Sequence, residues 1–256
     1  MTPLSVREFR QYAPIWSHLG FRDLRVRYAQ TLFGPWLSTV ALVAMLLGTS
    51  LAVGVLAGTP FREHFSVIAV SLALWMFASN AMIESAELYE VERGLLLNSR
   101  ISSTVLVYRL LWRNLLVGLH NLPVVVVASG LSSRQAMFRA LIFPCALVVI
   151  AVMIAGPVFL VARVCLRRRD VARVVPAVVQ VLFFVTPILW VPSTSALGNT
   201  LAAINPLAWP LEICQAFVDQ GVLLFSPLIK IALWCGLSMA MLEFTSKSSH
   251  RDRLRV

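Results

Sequence analysis

LSTVALVAMLLGTSLAVGVLAG, residues 37–58, carries no charged side chain, and directly before it stands RDLRVRYAQTLFGPW, residues 22–36, basic, aromatic and interrupted by a Gly-Pro pair. An α-helix needs about 20 apolar residues to cross a hydrocarbon core of about 30 Å. Lipid offers no partner for backbone N–H and C=O groups, so a run of this length must satisfy them within itself, as a helix. The stretch therefore decides the fold class, an all-α integral membrane protein.

Five further runs of similar character follow: Phe65–Ile83, Thr104–Leu131, Ala140–Ala162, Val174–Val191 and Val222–Phe244. Of the 256 residues 59 % are hydrophobic and 13 % charged, with a mean hydropathy of +0.80, more apolar surface than a soluble domain of that length can cover. The segment Pro192–Gly221 is broken by Asn199, Asn205, Pro206, Pro210 and Glu212, and reads as a re-entrant pair of short outer helices between the fifth and sixth spans. The expected organisation is one transmembrane domain over 1–256. It comprises an interface helix and elbow (1–36), five spans (37–191), the outer segment (192–221), a sixth span (222–244) and a tail (245–256). The first run is of full spanning length and residues 1–36 are polar and aromatic, so no cleavable signal is expected.

A net charge of +10 would suit a nucleic-acid binder, but here the cations cluster between apolar runs, where they report topology. With both termini cytoplasmic and six spans, all of the 22 lysines and arginines except Arg62, Arg134, Arg139 and Lys230 fall on the inner side. A seventh span would carry Lys247, Arg251, Arg253 and Arg255 outside, against the positive-inside rule. Location in the cytoplasmic (inner) membrane follows, with no nucleic-acid partner. Cys145, Cys165, Cys214 and Cys235 are scattered without metal-ligand spacing and read as small apolar residues, so no metal is expected.

Val6, Phe9, Ala13, Trp16 and Leu19 recur at helical spacing, which predicts an amphipathic helix lying in the membrane interface, with Pro14 interrupting it. Arg22, Arg25 and Arg27 then come within reach of anionic headgroups, and Gly34-Pro35 breaks the backbone as the chain turns into the first span. In the third run Arg109, Arg113 and His120 fall within about 40° on one helix face, at about 100° per residue. Charge inside a bilayer is expensive, so this stripe should face protein or water. Arg109 and Arg113 could snorkel to the interface, pair with Glu84 or Glu87, or meet a phosphate with their guanidinium forks. His120 and Asn121, deeper in the span, suit interhelical hydrogen bonds.

No G-x-x-x-x-G-K-[ST] loop occurs, so the chain has no nucleotide site of that kind. The features of intramembrane enzymes are also missing. GLSS and GLSM do not form a G-x-S-G nucleophile turn, and the inner aspartates Asp23, Asp170 and Asp252 lie far apart. A proton-coupled carrier would want buried acids, whereas Glu63, Glu212 and Asp219 fall outside and Glu84, Glu87 and Glu90 at a span end.

R-D-L-R-V-R-Y followed by G-P-W resembles the entry signature of the membrane subunits of type-2 ABC exporters that move polysaccharides. Leu74-Trp75-Met76-Phe77, Arg113-Asn114, His120-Asn121, Arg169-Asp170-Val171, Thr186-Pro187-Ile188 with Trp190, and Asn205-Pro206-Leu207 agree with that family in order, nearly end to end. The likeness is greatest to permeases for O-antigen and related lipid-linked glycans, with capsule and teichoic-acid exporters as close relatives and a drug or small lipid-linked oligosaccharide as the rival cargo. Leu74-Trp75 and Ser99-Arg100-Ile101 depart from the family's usual Gly before the Trp and Phe-Pro after the loop, which bears on the subfamily. The resemblance implies a transport subunit that binds no cofactor itself and forms a homodimer. Each copy would dock one separate ABC ATPase, two plus two, which uses ATP and Mg. The docking element would be the loop Glu84–Ser103, with Glu87, Glu90, Glu92, Arg93, Leu95 and Leu96. The substrate would be a polyprenyl-linked glycan whose diphosphate meets Arg22, Arg25, Arg27, Arg109 and Arg113 on entry. Trp75, Phe77, Phe183, Phe184 and Trp190 would line its channel, and Asn199, Asn205 and Trp209 its outer mouth.

Overall fold

A computed structural model of the chain describes residues 4–253 apart from 30, 32–33, 35, 59–60, 99–101, 191–195 and 223–224. Every long element among them is an α-helix. Helices α1 (Leu4–Gln11) and α2 (Ala13–Tyr28) separate at Tyr12, because Pro14 stands in the first turn of α2, where its missing N–H is no loss. Helix α2 continues through Arg22–Tyr28, so the basic stretch read as part of the elbow is helical. The helix ends at Tyr28, and Gly34, two residues before α3 begins, adopts a left-handed φ of 53°. The reason is tertiary: Trp16, Gly20 and Leu24 recur every four residues and are buried together.

Helix α3 (Trp36–Ala57) buries the stripe Thr39, Leu42, Leu46 and Ser50 and leaves Val40, Val43, Leu47 and Leu51 exposed. Helix α4 (Phe61–Val91) is the central pillar, packed by α3 and by most of the helices that follow it. At 1.5 Å per residue it is about 46 Å long, so its last turns, from Glu84 on, emerge from a hydrocarbon core of about 30 Å. A six-residue helix α5 (Arg93–Asn98) follows. Helices α6 (Ser103–Leu119) and α7 (Leu122–Ser132) make one span bent by 41° at His120-Asn121, just before Pro123. Helix α8 (Arg134–Arg139) and a 3-10 turn lead into α9 (Phe143–Arg167).

Helix α10 (Arg169–Val185) is about 25 Å long by its rise, shorter than the four helices that are each long and apolar enough to cross a membrane alone. It starts directly after α9 finishes at Arg167, whereas Gly221, further along the chain, lies against the Arg139 guanidinium at the opposite end of α9. Between them α11 (Ala196–Ile204) and α12 (Ala208–Gln220) fold back on each other at 110°, the re-entrant pair that the broken sequence predicts. Helix α13 (Phe225–Arg253) returns along α9. The chain is thus an all-α, multi-pass membrane protein. Four of the expected spans have a helix long and apolar enough to cross alone, the second running on to Val91, and the third has a bent pair in its place; the fifth run, Val174–Val191, is carried by the shorter α10, and the fold-back α11–α12 is the other bent pair of spanning composition.

The α9–α13 contact shows how sequence sets packing. Pro157 has no N–H to give the Met153 carbonyl, and the indole Nε1 of Trp234 on α13 donates to that oxygen instead, at 3.2 Å. One residue earlier, Gly156 N donates to the Ser238 hydroxyl at 2.8 Å, and that hydroxyl donates to Val152 O at 3.0 Å, so a side chain from α13 is spliced into the backbone ladder of α9. Only glycine permits this approach, since a Cβ at 156 would lie 2.3 Å from the Ser238 carbonyl oxygen.

Candidate functional site

The end of the bundle that carries α1, α2 and α5 holds the densest arrangement of charge. Gly20 lets α2 lie directly on α6: a Cβ there would stand 2.9 Å from Trp112 and 3.3 Å from the Arg109 carbonyl. This contact sets Asp23, one turn on, over the first turns of α6. Arg109 meets it with two parallel hydrogen bonds, Nε to Oδ2 at 2.5 Å and Nη2 to Oδ1 at 2.7 Å, and reaches Glu92 with Nη1 at 3.0 Å. One turn further, Arg113 donates to Glu84 Oε2 at 2.8 Å and lies 3.6 Å from Asp23. Asn114 Nδ2 donates to the same Glu84 oxygen at 2.7 Å, and Arg27 takes the other at 2.5 Å. The hydrogen bond to Glu84 raises the Arg27 pKa above its already high ordinary value.

The cluster therefore contains three guanidinium groups, Arg27, Arg109 and Arg113, and three carboxylates, Asp23, Glu84 and Glu92. The charges balance, so it offers no net positive field to an anion. Its centre is largely dry, with side-chain exposures of 9 % for Arg109 and 12 % for Asp23. What it does is mechanical: it ties α2, the emerging end of α4, the link into α5 and the start of α6 into one block. Of the readings open for Arg109 and Arg113, the geometry supplies carboxylate pairing. Sequence reasoning listed Glu84 as a partner but missed Asp23 and Glu92. The available signal was charge matching, since these acids are the natural counterparts of arginines on the same side of the membrane.

This arrangement changes the sets drawn from the sequence. Of the five entry arginines, Arg27, Arg109 and Arg113 are held by carboxylates, whereas Arg22 and Arg25 are exposed on α2. In the loop after α4, Glu92 belongs to the cluster, and Leu95 and Leu96 pack inward against the core because α5 lies flat on the bundle. Glu87, Glu90 and Arg93 remain exposed, with Glu90 3.2 Å from Arg169 at the start of α10 in a solvated pair.

Trp75 and Phe77 are buried within the bundle, with Phe183 tilted against Trp75 at 5.8 Å, so neither Trp75 nor Phe77 faces an opening in a single copy. Their enclosure follows from their place on the central helix, where neighbouring helices surround apolar rings. Phe184, at 66 % exposure, points away from the bundle, and Trp190 is half-buried and donates Nε1 to the Phe184 carbonyl at 3.0 Å.

At the span kink, Thr39 of α3 hydrogen-bonds to Asn121 Oδ1 at 3.2 Å and to the His120 carbonyl at 3.1 Å, an interhelical link. The His120 ring instead bonds Leu116 O of its own helix at 2.7 Å and meets Trp36 edge-on. At the far end, Asn205 is no mouth residue. It is buried, donates to the Thr186 hydroxyl at 2.8 Å and accepts from Leu207 N at 3.0 Å, fixing the fold-back between α11 and α12. Asn199 is exposed, and Trp209 packs against Trp234 with Lys230 over its ring at 5.8 Å.

No protein-family model matches the chain. It is 24 % identical over 245 residues to the O-antigen export system permease protein RfbA of Myxococcus xanthus, a match covering 91 % of this chain and 94 % of that protein. The likeness is thus to an export permease and extends over nearly the whole length of both chains.

Proposed function

We propose that this chain is the membrane-spanning permease of an ATP-driven type-2 ABC exporter that carries a polyprenyl-diphosphate-linked polysaccharide of the O-antigen kind across the cytoplasmic membrane. The observation that carries the reading is the end-to-end similarity to an O-antigen export permease, on a chain that folds as a multi-pass helical bundle. The chain works as a homodimer, with both termini and α5 on the cytoplasmic side, and two copies of a separate ATPase supply the energy.

Glu87, Glu90 and Arg93 are the docking face, and the neutral cluster behind them is the joint that passes the ATPase's movement into α2 and α6. A charge-balanced set of ion pairs built around the dry, bidentate Arg109–Asp23 pair resists sliding, so α5, α2 and the start of α6 move together. Arg22 and Arg25, whose charge is not taken up by that cluster, are the cations that meet the substrate's diphosphate at the inner surface. Phe183, Phe184 and Trp190 remain as aromatic surface for the sugar path between copies.

The test is a pull-down of the tagged chain from its native membrane in mild detergent, with partners identified by mass and ATPase activity assayed. The reading expects a stoichiometric ATPase, lost when Glu87, Glu90 and Arg93 are exchanged for opposite charges. Recovery of the chain alone, without ATPase activity at any detergent strength, would overturn it.

A further inference from the structure

A cleft of about 440 Å³ opens between the interface helices and the bundle, walled by α1, α2, α6, α9 and α13. Its volume is within the range of about 300–1,000 Å³ typical of ligand sites. The lining is apolar nearly throughout, and it plays no part in the charge cluster, which lies on the other side of Trp112. Phe9, Trp16, Tyr108 and Trp112 form an aromatic rim, the residue types that settle at the level of lipid headgroups. Beyond the rim the cleft runs down α6 from Tyr108 to Leu115, about 10 Å by helix rise, within the roughly 15 Å that one leaflet's chains occupy. Val152 lines it and is itself substantially exposed, so the cleft is open sideways to the bilayer. Arg7 and Arg10 flank Phe9 along α1 and are both exposed, so α1 carries two solvent-facing cations within two residues of the cleft lining.

We infer that this cleft holds one acyl chain of an anionic phospholipid from the leaflet on which α1 and α2 rest, with its headgroup against Arg7 and Arg10. The occupant is a hydrocarbon chain because the walls offer almost no polar atom, and a phospholipid because the depth matches a single leaflet. The chain fills the space beside the ring contacts by which Phe9 and Trp16 reach Tyr108 and Trp112, adding an apolar fastening to the direct seat of α2 on α6. The inference holds for any cargo.

It is tested on the full-length chain in vesicles of phosphatidylethanolamine with a minor share of phosphatidylglycerol. The vesicles are doped with a trace phospholipid that carries a photoactivatable diazirine on its acyl chain, and cross-linked peptides are mapped by mass. Label is expected on Val152 and Met239. Phosphatidylglycerol should give about fivefold more than phosphatidylcholine, the ratio equivalent to about 1 kcal/mol for one basic residue at an anionic surface. Val152→Trp, which fills the cleft from its open side without crowding the core, should abolish that label. Leu160→Trp, equally exposed on the same helix but away from the cleft, should leave it intact. Label spread evenly over all exposed helix faces and unmoved by Val152→Trp would overturn the inference. So would displacement by a polyprenyl phosphate in preference to phosphatidylglycerol, which would make the cleft a substrate site. None of these outcomes depends on whether an ATPase co-purifies, so the two readings fail separately.

Discussion

Replacing Arg109 by Met tests whether the charge cluster holds the interface helix and the α5 link to the bundle. The substitution keeps much of the side-chain volume but removes both hydrogen bonds to Asp23 and the contact to Glu92. Both acids then stay in a largely dry site, with Asp23 retaining only Arg113 at 3.6 Å. Breaking a buried pair by deleting one partner costs about 3–5 kcal/mol, chiefly because the remaining charge is uncompensated. For a chain of this size each 1 kcal/mol corresponds to about 2–4 °C, so the transition should fall by roughly 10 °C. Thermal aggregation of the detergent-solubilised chain, followed by size-exclusion chromatography after heating, measures the shift. Arg25→Met, on the exposed face of α2, is the control and should stay within about 0.5 kcal/mol of the parent. Because the groups touch, the effects should not add: the triple variant Asp23→Asn, Glu92→Gln, Arg109→Met should recover most of the loss. Arg109→Met no worse than Arg25→Met, or a triple variant that loses the sum of its parts, would refute the reasoning.

Other sites give sharper local outcomes. Gly156→Ala should prevent close packing of α9 on α13, because its Cβ meets Ser238 backbone at 2.3 Å; the readout is failure of the purified chain to run as a single species. Trp234→Phe keeps the ring but removes the donor to Met153 O, and should cost about 1 kcal/mol, seen as a transition lowered by about 2–4 °C. Asn205→Leu loses both the bond to Thr186 and the cap on Leu207 N, so protease sensitivity between α11 and α12 should rise while the spans stay protected. Reversing Arg22 and Arg25 to Glu should leave stability and ATPase binding unchanged but lower export, measured as accumulation of the lipid-linked glycan.

The elements legible in the sequence are those the bilayer dictates. An uncharged run such as residues 37–58 has one way to satisfy its backbone, and a run broken by Pro206 and Pro210 cannot cross without interruption, so the spans and the fold-back could be placed. What stayed hidden depends on contacts distant in the chain. The continuation of α2 through Arg22–Tyr28 rests on Trp16, Gly20 and Leu24 seating on α6, and the local string of charges gives no hint of it. Asp23 and Arg109 are 86 residues apart, and only the count of inner acids against inner arginines points to their pairing. The same distance effect misled the reading of Trp75, Phe77, Leu95 and Leu96: an aromatic or leucine in a span or loop looks alike whether it faces a path, a partner or the core, and the packing of α4 and α5 decides.

The proposed activity is export of a lipid-linked glycan with energy from a separate ATPase. Everted vesicles from cells carrying the chain and its ATPase, loaded on the outside with the polyprenyl-linked glycan, measure it directly. Movement of the glycan into the lumen is expected only when ATP is added and both proteins are present, with Glu87, Glu90 and Arg93 intact. Movement driven by an ion gradient without ATP, or by this chain without the ATPase, would contradict it.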